Sequence, residues 1–409
     1  MKILKLGVYL TVFCLPLYLI KFSVFGLPFN VLEAIILALF LAWLIKNKVN
    51  GIKELFKKGR IIIWPIILIL SGVILATIFS WDLRLSMGIL KGWFVIPFLF
   101  FAVLITTINQ EEIKKVLNAF VFSGLIVSII SLIYLILGKL DVHGRLQGIY
   151  NSPNYLAMYL APCLLMVITF LLIKIQPHKD TRQRPSEALR SVSASPLTMR
   201  LGLREAFLVI EFLIILVVLI FTKSYGAWIG LIAAIFSLLF LKANKYFKFI
   251  LILLAVISVV VLITSLVGSR GASYDARWVI WDKALEVFRQ YPLFGIGPGT
   301  FESYFPPYPK WGVPQPHSIY FAFLLQTGII GFIGFIWLLV LFFRDGFKNK
   351  ETGIMNIVLM SVMVYILIHG LVDTLYWKND LSVFFWIIIG LMLILSRPQS
   401  GSRQESGEE

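Results

Sequence analysis

The sequence position of one histidine suits a general base. His317 lies in VPQPHSIY, directly before a long apolar run, and Pro316 suits the first turn of a helix. The positive end of a helix dipole at this place disfavours a charged imidazole, so the ring would be free to accept a proton. The sequence predicts His317 as a candidate general base. The alternative interpretation is a histidine that lies at a membrane interface and has no catalytic role.

Two arginines could bind an anion. Arg277 lies four residues before Trp281 in DARWVIWDKALEVFRQ, so both side chains share one side of a predicted amphipathic helix. A guanidinium there can hold phosphate oxygens with two N–H groups, although pairing with anionic lipid or Asp275 is the alternative. Arg145, in HGRLQGIYNSPNYLA, is a second phosphate-binding candidate. Asn154 is suited to cap the helix that follows the Asn-Ser-Pro-Asn turn.

Ionisable residues inside apolar runs are a further signal. His369 and Asp373 lie one helical turn apart near the end of such a run and could bond to each other. An ionisable pair in a membrane segment suggests function, with structural pairing as the alternative. Glu33 and Glu211 are lone carboxylates for which the sequence offers no partner.

Several other patterns carry no chemistry. The two cysteines fall in apolar runs, and no cluster has metal-ligand spacing, so the sequence predicts no disulfide, metal or cofactor. GIGPGT at 295–300 lacks the lysine and the preceding strand of a nucleotide loop. Gly328, Gly331 and Gly334 predict close packing between helices.

The elements that must position these residues are membrane helices. The 409 residues are 59% hydrophobic and 14% charged, with a mean hydropathy of +0.91, which leaves too little polar surface for a soluble globule. We therefore expect an all-α, polytopic membrane protein. Apolar runs of membrane-spanning length predict about twelve transmembrane helices: 5–22, 29–45, 61–80, 89–108, 117–137, 153–173, 206–222, 226–241, 248–267, 317–343, 354–374 and 381–396.

The distribution of basic residues predicts the orientation. Most of the 37 Lys and Arg residues fall in alternate connections and at the termini, and cationic loops stay on the cytoplasmic side. Both termini are then cytoplasmic, and the candidate site residues lie at the extracytoplasmic face. The first apolar run has no small-x-small cleavage site and is expected to remain. Anionic lipid explains the net charge of +16 better than nucleic acid does.

The expected organisation is one transmembrane domain over 1–397 and a disordered cytoplasmic tail over 398–409. The connection 174–204 is polar, basic and rich in Ser and Pro, as in a disordered cytoplasmic linker. The large extracytoplasmic loop 268–316 is aromatic, and we expect it to contain a helix lying on the membrane surface. The face expected to enter the membrane holds Trp278, Trp281, Leu285 and Phe288.

Twelve spans with basic loops would also suit a transporter or lipid flippase. No internal repeat is visible, which counts against a transporter built from inverted repeats. A transporter would also place ionisable residues along a path at the bilayer midplane, whereas most of those found here fall at one mouth.

From about 140 to 375 the sequence resembles the O-antigen ligase and polymerase superfamily of bacterial envelope glycosyltransferases. The ligase signature is His, then Asn, Ser or Gln, nine residues, Gly, two residues, and Gly, Thr or Tyr. His317, Ser318, Gly328 and Gly331 satisfy it. The segments RLQGIYNSPNYLA, RWVIWDKALEVFRQYPLFGIGPGTF and HGLVD also resemble family landmarks, with Arg277 at the functional arginine position.

One segment departs from the family pattern. Many members carry arginine in a Ser-Arg-Gly-Ala context, whereas this chain reads TKSYGAW, with Tyr225 in that place and Lys223 two residues earlier. Lys223 could supply a positive charge, but an ammonium lacks the guanidinium fork.

The resemblance implies an enzyme in the bacterial cytoplasmic (inner) membrane whose active site faces the periplasm or cell exterior. It would transfer a glycan, without a metal, from undecaprenyl pyrophosphate to a hydroxyl of a glycan, a lipid A core or a protein. Arg277, helped by Arg145 and Lys223, would bind the pyrophosphate, and His317 would take the acceptor proton. A polymerase that joins repeat units is the alternative within the same superfamily.

Overall fold

The computed structural model describes residues 1–24, 27–175, 202–242, 272–304, 313–348 and 353–397. The predicted span 248–267, the tail 398–409 and nearly all of the predicted linker 174–204 lie outside the described residues. The predicted outer loop 268–316 is described over 272–304 and again from 313.

The described chain is nearly all helical, as its composition predicts. A π-helical turn, Leu90–Val95, joins α4 to α5, and short 3-10 turns lie at Leu15–Leu19 and Gln110–Glu112. The helices are α1 Lys2–Phe13, α2 Val31–Gly59, α3 Ile63–Ile78, α4 Leu83–Ile89, α5 Ile96–Thr107, α6 Ile113–Ile136, α7 Pro153–Ile175, α8 Leu203–Thr222, α9 Tyr225–Lys242, α10 Ala272–Gln290, α11 Phe301–Tyr304, α12 Ile319–Lys348, α13 Ile354–His369 and α14 Asn379–Leu395.

Several of these helices are long and apolar enough to cross a membrane. Within the described ranges five segments qualify, one of which, Leu83–Thr107, combines α4, the π-helical turn and α5. A sixth is the pair α2 and α3 if the 104° bend between them belongs to one broken span. Three shorter apolar helices, α9, α13 and α14, add to these. The described part of the chain therefore contains five to six membrane-span candidates, and the count of about twelve stays a prediction.

A short hairpin interrupts the helical pattern. Strands β1 Lys21–Val24 and β2 Leu27–Asn30 pair antiparallel, with Lys21 opposite Asn30. The expectation of helix up to residue 22 was wrong here, because α1 ends at Phe13 and Pro16 lies in the 3-10 turn that follows. Asn30 then caps α2 by accepting a hydrogen bond from the backbone N–H of Glu33, 3.0 Å long.

The chain divides into two compact units. The first comprises Met1–Ser123 and Ser224–Glu409, and the second comprises Gly124–Lys223.

Glycines bring α3 and α12 of the first unit close together. A methyl group on Gly72 would collide with the backbone of Gly331, and one on Gly334 would lie 2.8 Å from the backbone N of Ile69. The close helix packing predicted for Gly331 and Gly334 is confirmed.

Gly328 has another role, because α12 breaks there. Its backbone adopts φ 65° and ψ −178°, a conformation that favours glycine. The loop that follows α10 enters this break. The N–H of Ile296 donates to the carbonyl of Leu325 at 2.8 Å, and the N–H of Ile329 donates to the carbonyl of Pro292 at 3.1 Å. The glycine-rich segment 295–300 is therefore part of a loop that docks into a helix.

The polar groups of the first unit gather at two ends. At one end Lys5 pairs with Glu112 at 2.7 Å, and the side chain of Gln110 donates to the carbonyl of Arg397. At the other end α12 begins where α13 finishes, because the N–H of Ile319 donates to the carbonyl of Gly370 at 2.8 Å.

Candidate active site

His317 lies in a left-handed turn just before α12. Its φ is +46°, an uncommon conformation for a residue other than glycine, and such residues concentrate at functional sites. The expectation that Pro316 and His317 belong to the first turn of the helix was wrong, since α12 begins at Ile319. Ser318 precedes the helix, and its carbonyl accepts the first helical hydrogen bond, from the N–H of Ala322 at 2.9 Å.

Asp373 faces His317 across the site. Nδ1 of His317 lies 3.6 Å from Oδ1 of Asp373, at ion-pair distance and slightly beyond a direct hydrogen bond. The imidazole is about one-third exposed, whereas the carboxylate is buried. Burial alone would raise the pKa of Asp373, but His317, His369 and the N–H of Thr374 together hold it below its usual value.

His369 is buried beside this pair and ends α13. Its Nδ1 shares a 2.8 Å hydrogen bond with the hydroxyl of Tyr365, one turn earlier. The predicted helix over 354–374 was too long, because the chain leaves the helix at Gly370. Asp373 consequently sits in a turn, where it interacts electrostatically with His369 and pairs with His317.

Helix α10 brings Arg277 and Trp281 to the region of His317 and His369. The indole N–H of Trp281 donates to the carbonyl of Pro316 at 3.1 Å, which ties α10 to the turn that holds His317. The positive charge of Arg277 acts on the ring of His369. Nε of Arg277 is buried and, among the described residues, has no hydrogen-bond partner. A buried guanidinium nitrogen without a partner is unusual, and the acceptor atom of a ligand would explain it.

The face of α10 that packs against the protein lies beside the face predicted to enter the membrane. Ile280, Ala284 and Val287 are buried in a cluster with Leu325 of α12. Two of the four aromatic and aliphatic residues expected to share one face, Trp281 and Phe288, lie at the edge of this cluster. The other two, Trp278 and Leu285, are 66% and 40% exposed. Entry of this aromatic face into the membrane surface therefore stays a prediction, and the adjoining face of α10 packs against α12.

A buried amide network supports the turn of His317. Gln326 is fully buried, its Oε1 accepts from the N–H of Gly299 at 2.7 Å, and its Nε2 donates to Oε1 of Gln315 at 2.9 Å. Gln326 therefore joins the docked loop to the segment just before His317. Its place between two irregular segments gave no signal in the sequence.

Tyr225 and Gly226 begin α9 on the other side of His369. The side chain of Tyr225 is 82% exposed. A methyl group added to Gly226 would lie 2.7 Å from Cδ2 and 2.9 Å from Nε2 of His369. Glycine at 226 is thus required for α9 to approach the histidine.

Three predicted site residues belong to the second unit. Arg145 donates from Nη2 to Oδ1 of Asn154 at 2.6 Å and from Nε to the carbonyl of Thr222 at 3.0 Å. Lys223 ends α8 in a left-handed conformation with φ +49°, and its ammonium lies close to Gly144. The two basic side chains therefore share one region of this unit.

The predicted cap of α7 was assigned to the wrong residue. Ser152 Oγ accepts the hydrogen bond from the N–H of Asn154 at 3.3 Å. Pro153 is the first helical residue and has no N–H, so the first group that needs a cap belongs to Asn154. The side chain of Asn154 binds Arg145 instead.

A partner exists for Glu33, one of the two lone carboxylates of the sequence. Oε2 of Glu33 lies 2.8 Å from the ammonium of Lys91, and Nδ2 of Asn379 donates to Oε1 at 3.1 Å. Sequence patterns missed this contact because the three residues come from α2, the π-helical turn and α14.

In the described ranges, no group of three or more His, Cys, Asp or Glu side chains could hold a metal ion.

The family comparison agrees with this region of the chain. No curated protein matches the sequence. Residues 210–336, which include His317, Arg277 and the break in α12, match the family described as O-antigen ligase. The resemblance inferred from the signature residues is thereby confirmed over these residues, which are similar to the O-antigen ligase family.

Proposed function

We propose that the protein is an O-antigen-ligase-like glycosyltransferase that moves a glycan from undecaprenyl pyrophosphate to a hydroxyl acceptor. The observation that carries the proposal is the grouping of His317, Asp373 and Arg277 beside one turn. The family match supports ligase or polymerase activity with a lipid-linked donor.

The proposed base is His317. The nearby carboxylate of Asp373 favours a proton on Nδ1, which leaves the lone pair of Nε2 to accept a proton. His317 removes the acceptor hydroxyl proton while the acceptor oxygen forms a bond to the anomeric carbon. The bond from that carbon to the pyrophosphate oxygen breaks, and the lipid pyrophosphate leaves as an anion.

Arg277 stabilises the leaving group. Its Nε lacks a protein partner among the described residues, and a guanidinium binds phosphate oxygens in a planar, two-pronged manner. Negative charge grows on the pyrophosphate as the glycosidic bond breaks, so a preorganised cation there lowers the barrier. We propose no metal for this step.

The proposed setting is the bacterial cytoplasmic membrane with both termini in the cytoplasm and the site on the outer face. A lipid pyrophosphate carries its own leaving group, which suits a compartment without cytosolic nucleotide sugars. Lipid A core, a protein hydroxyl or another glycan remain as acceptors, the last of which would make the enzyme a polymerase.

The test is glycan transfer by purified full-length protein supplied with a defined undecaprenyl-pyrophosphate glycan and each acceptor class. We expect His317→Asn to abolish transfer and to remain folded, because asparagine tolerates positive φ but cannot act as the base. Retained transfer by this variant would refute the role of His317. The acceptor that is consumed separates ligase from polymerase.

A further inference from the structure

A cavity of about 540 Å³ opens in the first unit, away from His317. It is bounded by the β1–β2 hairpin, the start of α2, helix α4 with the π-helical turn, and the start of α14. Its volume lies within the range of small-molecule sites, about 300–1,000 Å³. The residues that matter below are Lys21, Phe29, Glu33, Arg84, Lys91 and Trp93.

One wall of the cavity is fixed by paired groups. Lys91 is bound to Glu33 at 2.8 Å and lies over the ring of Phe29, 3.8 Å from its centre. The indole N–H of Trp93 donates to Oδ1 of Asn379 at 3.2 Å. The charge of Lys91 is therefore largely neutralised inside the protein, and its role is to hold the wall in place.

Lys91 and Trp93 reach the cavity because they lie in the π-helical turn. Such a turn adds a residue to the helix, costs stability and is frequent at functional sites. Gly92 lies between them, where a methyl group would come within 2.9 Å of Glu33 and Asn379. The backbone here is shaped to present a cation and an indole to the same space.

Two cations of the lining are uncommitted. Lys21 and Arg84 are exposed, and within the described ranges neither pairs with a carboxylate. Asp82 lines the cavity as well, but its carboxylate accepts the N–H of Leu85 and caps α4. Positive charge thus remains at the cavity for a ligand to neutralise.

We propose that this cavity binds an anionic saccharide, a sugar unit that carries a carboxylate or phosphate. The indole of Trp93 and the exposed ring of Phe22, which stacks on Phe29, offer apolar surface to a pyranose. Lys21 and Arg84 bind the acidic group. A fully apolar ligand would leave the charges of Lys21 and Arg84 without partners.

The cavity is connected to the candidate active site by one short segment. Asp373 pairs with His317 at one end of this segment, and Asn379 contacts Glu33 and Trp93 at the other. Trp377, between them, packs edge-on against Trp93 with ring centres 5.9 Å apart. A saccharide in the cavity would be the acceptor, and this assignment of its role rests on the proposed glycosyl transfer.

The experiment measures equilibrium binding to full-length protein in nanodiscs. The probes are a glucuronate-containing disaccharide, the matching neutral disaccharide with glucose in its place, and inorganic phosphate. A hydrogen bond to a charged group is stronger than one between neutral groups, so we expect the acidic disaccharide to bind at least about tenfold more tightly than the neutral one. The double variant Lys21→Gln/Arg84→Gln should lose that preference.

The matched control is Arg289→Gln, which removes an exposed cation of α10 that does not line the cavity. It should bind as the unchanged protein does. Equal affinity for both disaccharides, an unaffected double variant, an equal loss in Arg289→Gln, or binding of phosphate alone would each overturn the proposal. Binding as expected without any glycan transfer would refute the proposed function and leave the cavity assignment standing.

Discussion

Asp373 stands 3.6 Å from Nδ1 of His317, although one follows α13 and the other precedes α12. The two turns are held together by the hydrogen bond from Ile319 to Gly370 and by a second bond, from the hydroxyl of Tyr320 to the carbonyl of Leu367 at 3.1 Å. The carboxylate is therefore placed by backbone contacts and can orient the imidazole without moving itself.

Asp373→Asn tests this orientation. We expect kcat of glycan transfer to fall about 10²-fold with little change in KM, because the amide cannot hold the ring in the same tautomer or stabilise its protonated form. Steady-state kinetics on purified protein measure the effect. Glu286→Gln, which removes an exposed carboxylate of α10, is the matched control. Equal kcat in both variants would contradict an orienting role for Asp373.

Arg277→Lys and Arg277→Gln test the pyrophosphate contact. Lysine keeps the charge but loses the planar fork, so we expect about a tenfold loss of kcat/KM with lysine and about a 10²-fold loss with glutamine. The measurement is transfer rate against concentration of the lipid-linked donor. If lysine restored full activity, charge alone would suffice and two-pronged binding would be wrong.

Gly226→Ala tests the approach of α9 to His369. The added methyl group would lie 2.7 Å from Cδ2 of His369, and overpacking of this kind costs about 1–3 kcal/mol. We expect a lower midpoint of thermal unfolding together with reduced transfer. Gly59→Ala is the control, since its methyl group would have its nearest neighbour, Cδ1 of Ile105, at 3.9 Å. Equal midpoints for the two variants would argue against close packing at Gly226.

Lys378 predicts a pH dependence of stability. Burial lowers the pKa of Lys378 to about 8. The negative charge of Asp380 opposes this shift, and the positive charge of Lys21 adds to it. In the unfolded chain a lysine has a pKa of about 10.4, so between about pH 8 and pH 10.4 the unfolded state binds more protons. The free energy of unfolding should therefore rise with pH across this window.

Lys378→Met should remove that rise and stabilise the protein at pH 7, by about 3 kcal/mol at most. Thermal unfolding in detergent from pH 7 to pH 10.5 measures both effects. Lys139→Met, at an exposed lysine of the second unit, serves as the control and should keep the slope. A slope that survives in Lys378→Met would assign the pH dependence to other groups.

Hydropathy predicted where most helices lie, because a membrane helix must be apolar along its whole length. It missed the β1–β2 hairpin, whose four-residue strands continue the apolar run of α1. It also missed the break in α12, since the apolar pattern runs through Gly328 without interruption. Only the docked loop, distant in sequence, identifies that glycine as the point where the helix opens.

Residue types predicted much of the candidate site, but the pairing within it could not be derived from spacing. His369 and Asp373 are four residues apart, a spacing that would place them on one face of a helix. They do not share a helix face, because α13 ends at His369. The signature residues gain separate physical roles: His317 carries the imidazole, Gly328 opens the helix, and Gly331 admits Gly72 of α3. The sequence motif indicates these positions but does not distinguish their structural roles.

The segment from Asp373 to Asn379 limits the distance between the candidate active site and the cavity. Six steps of fully extended chain cover at most about 22 Å, so the Cα atom of the residue that orients the imidazole and that of the residue that lines the cavity can be no farther apart than that. An acceptor that occupies both places at once needs only a few sugar rings. The turn between α13 and α14 would then make the enzyme select acceptor oligosaccharides by their length.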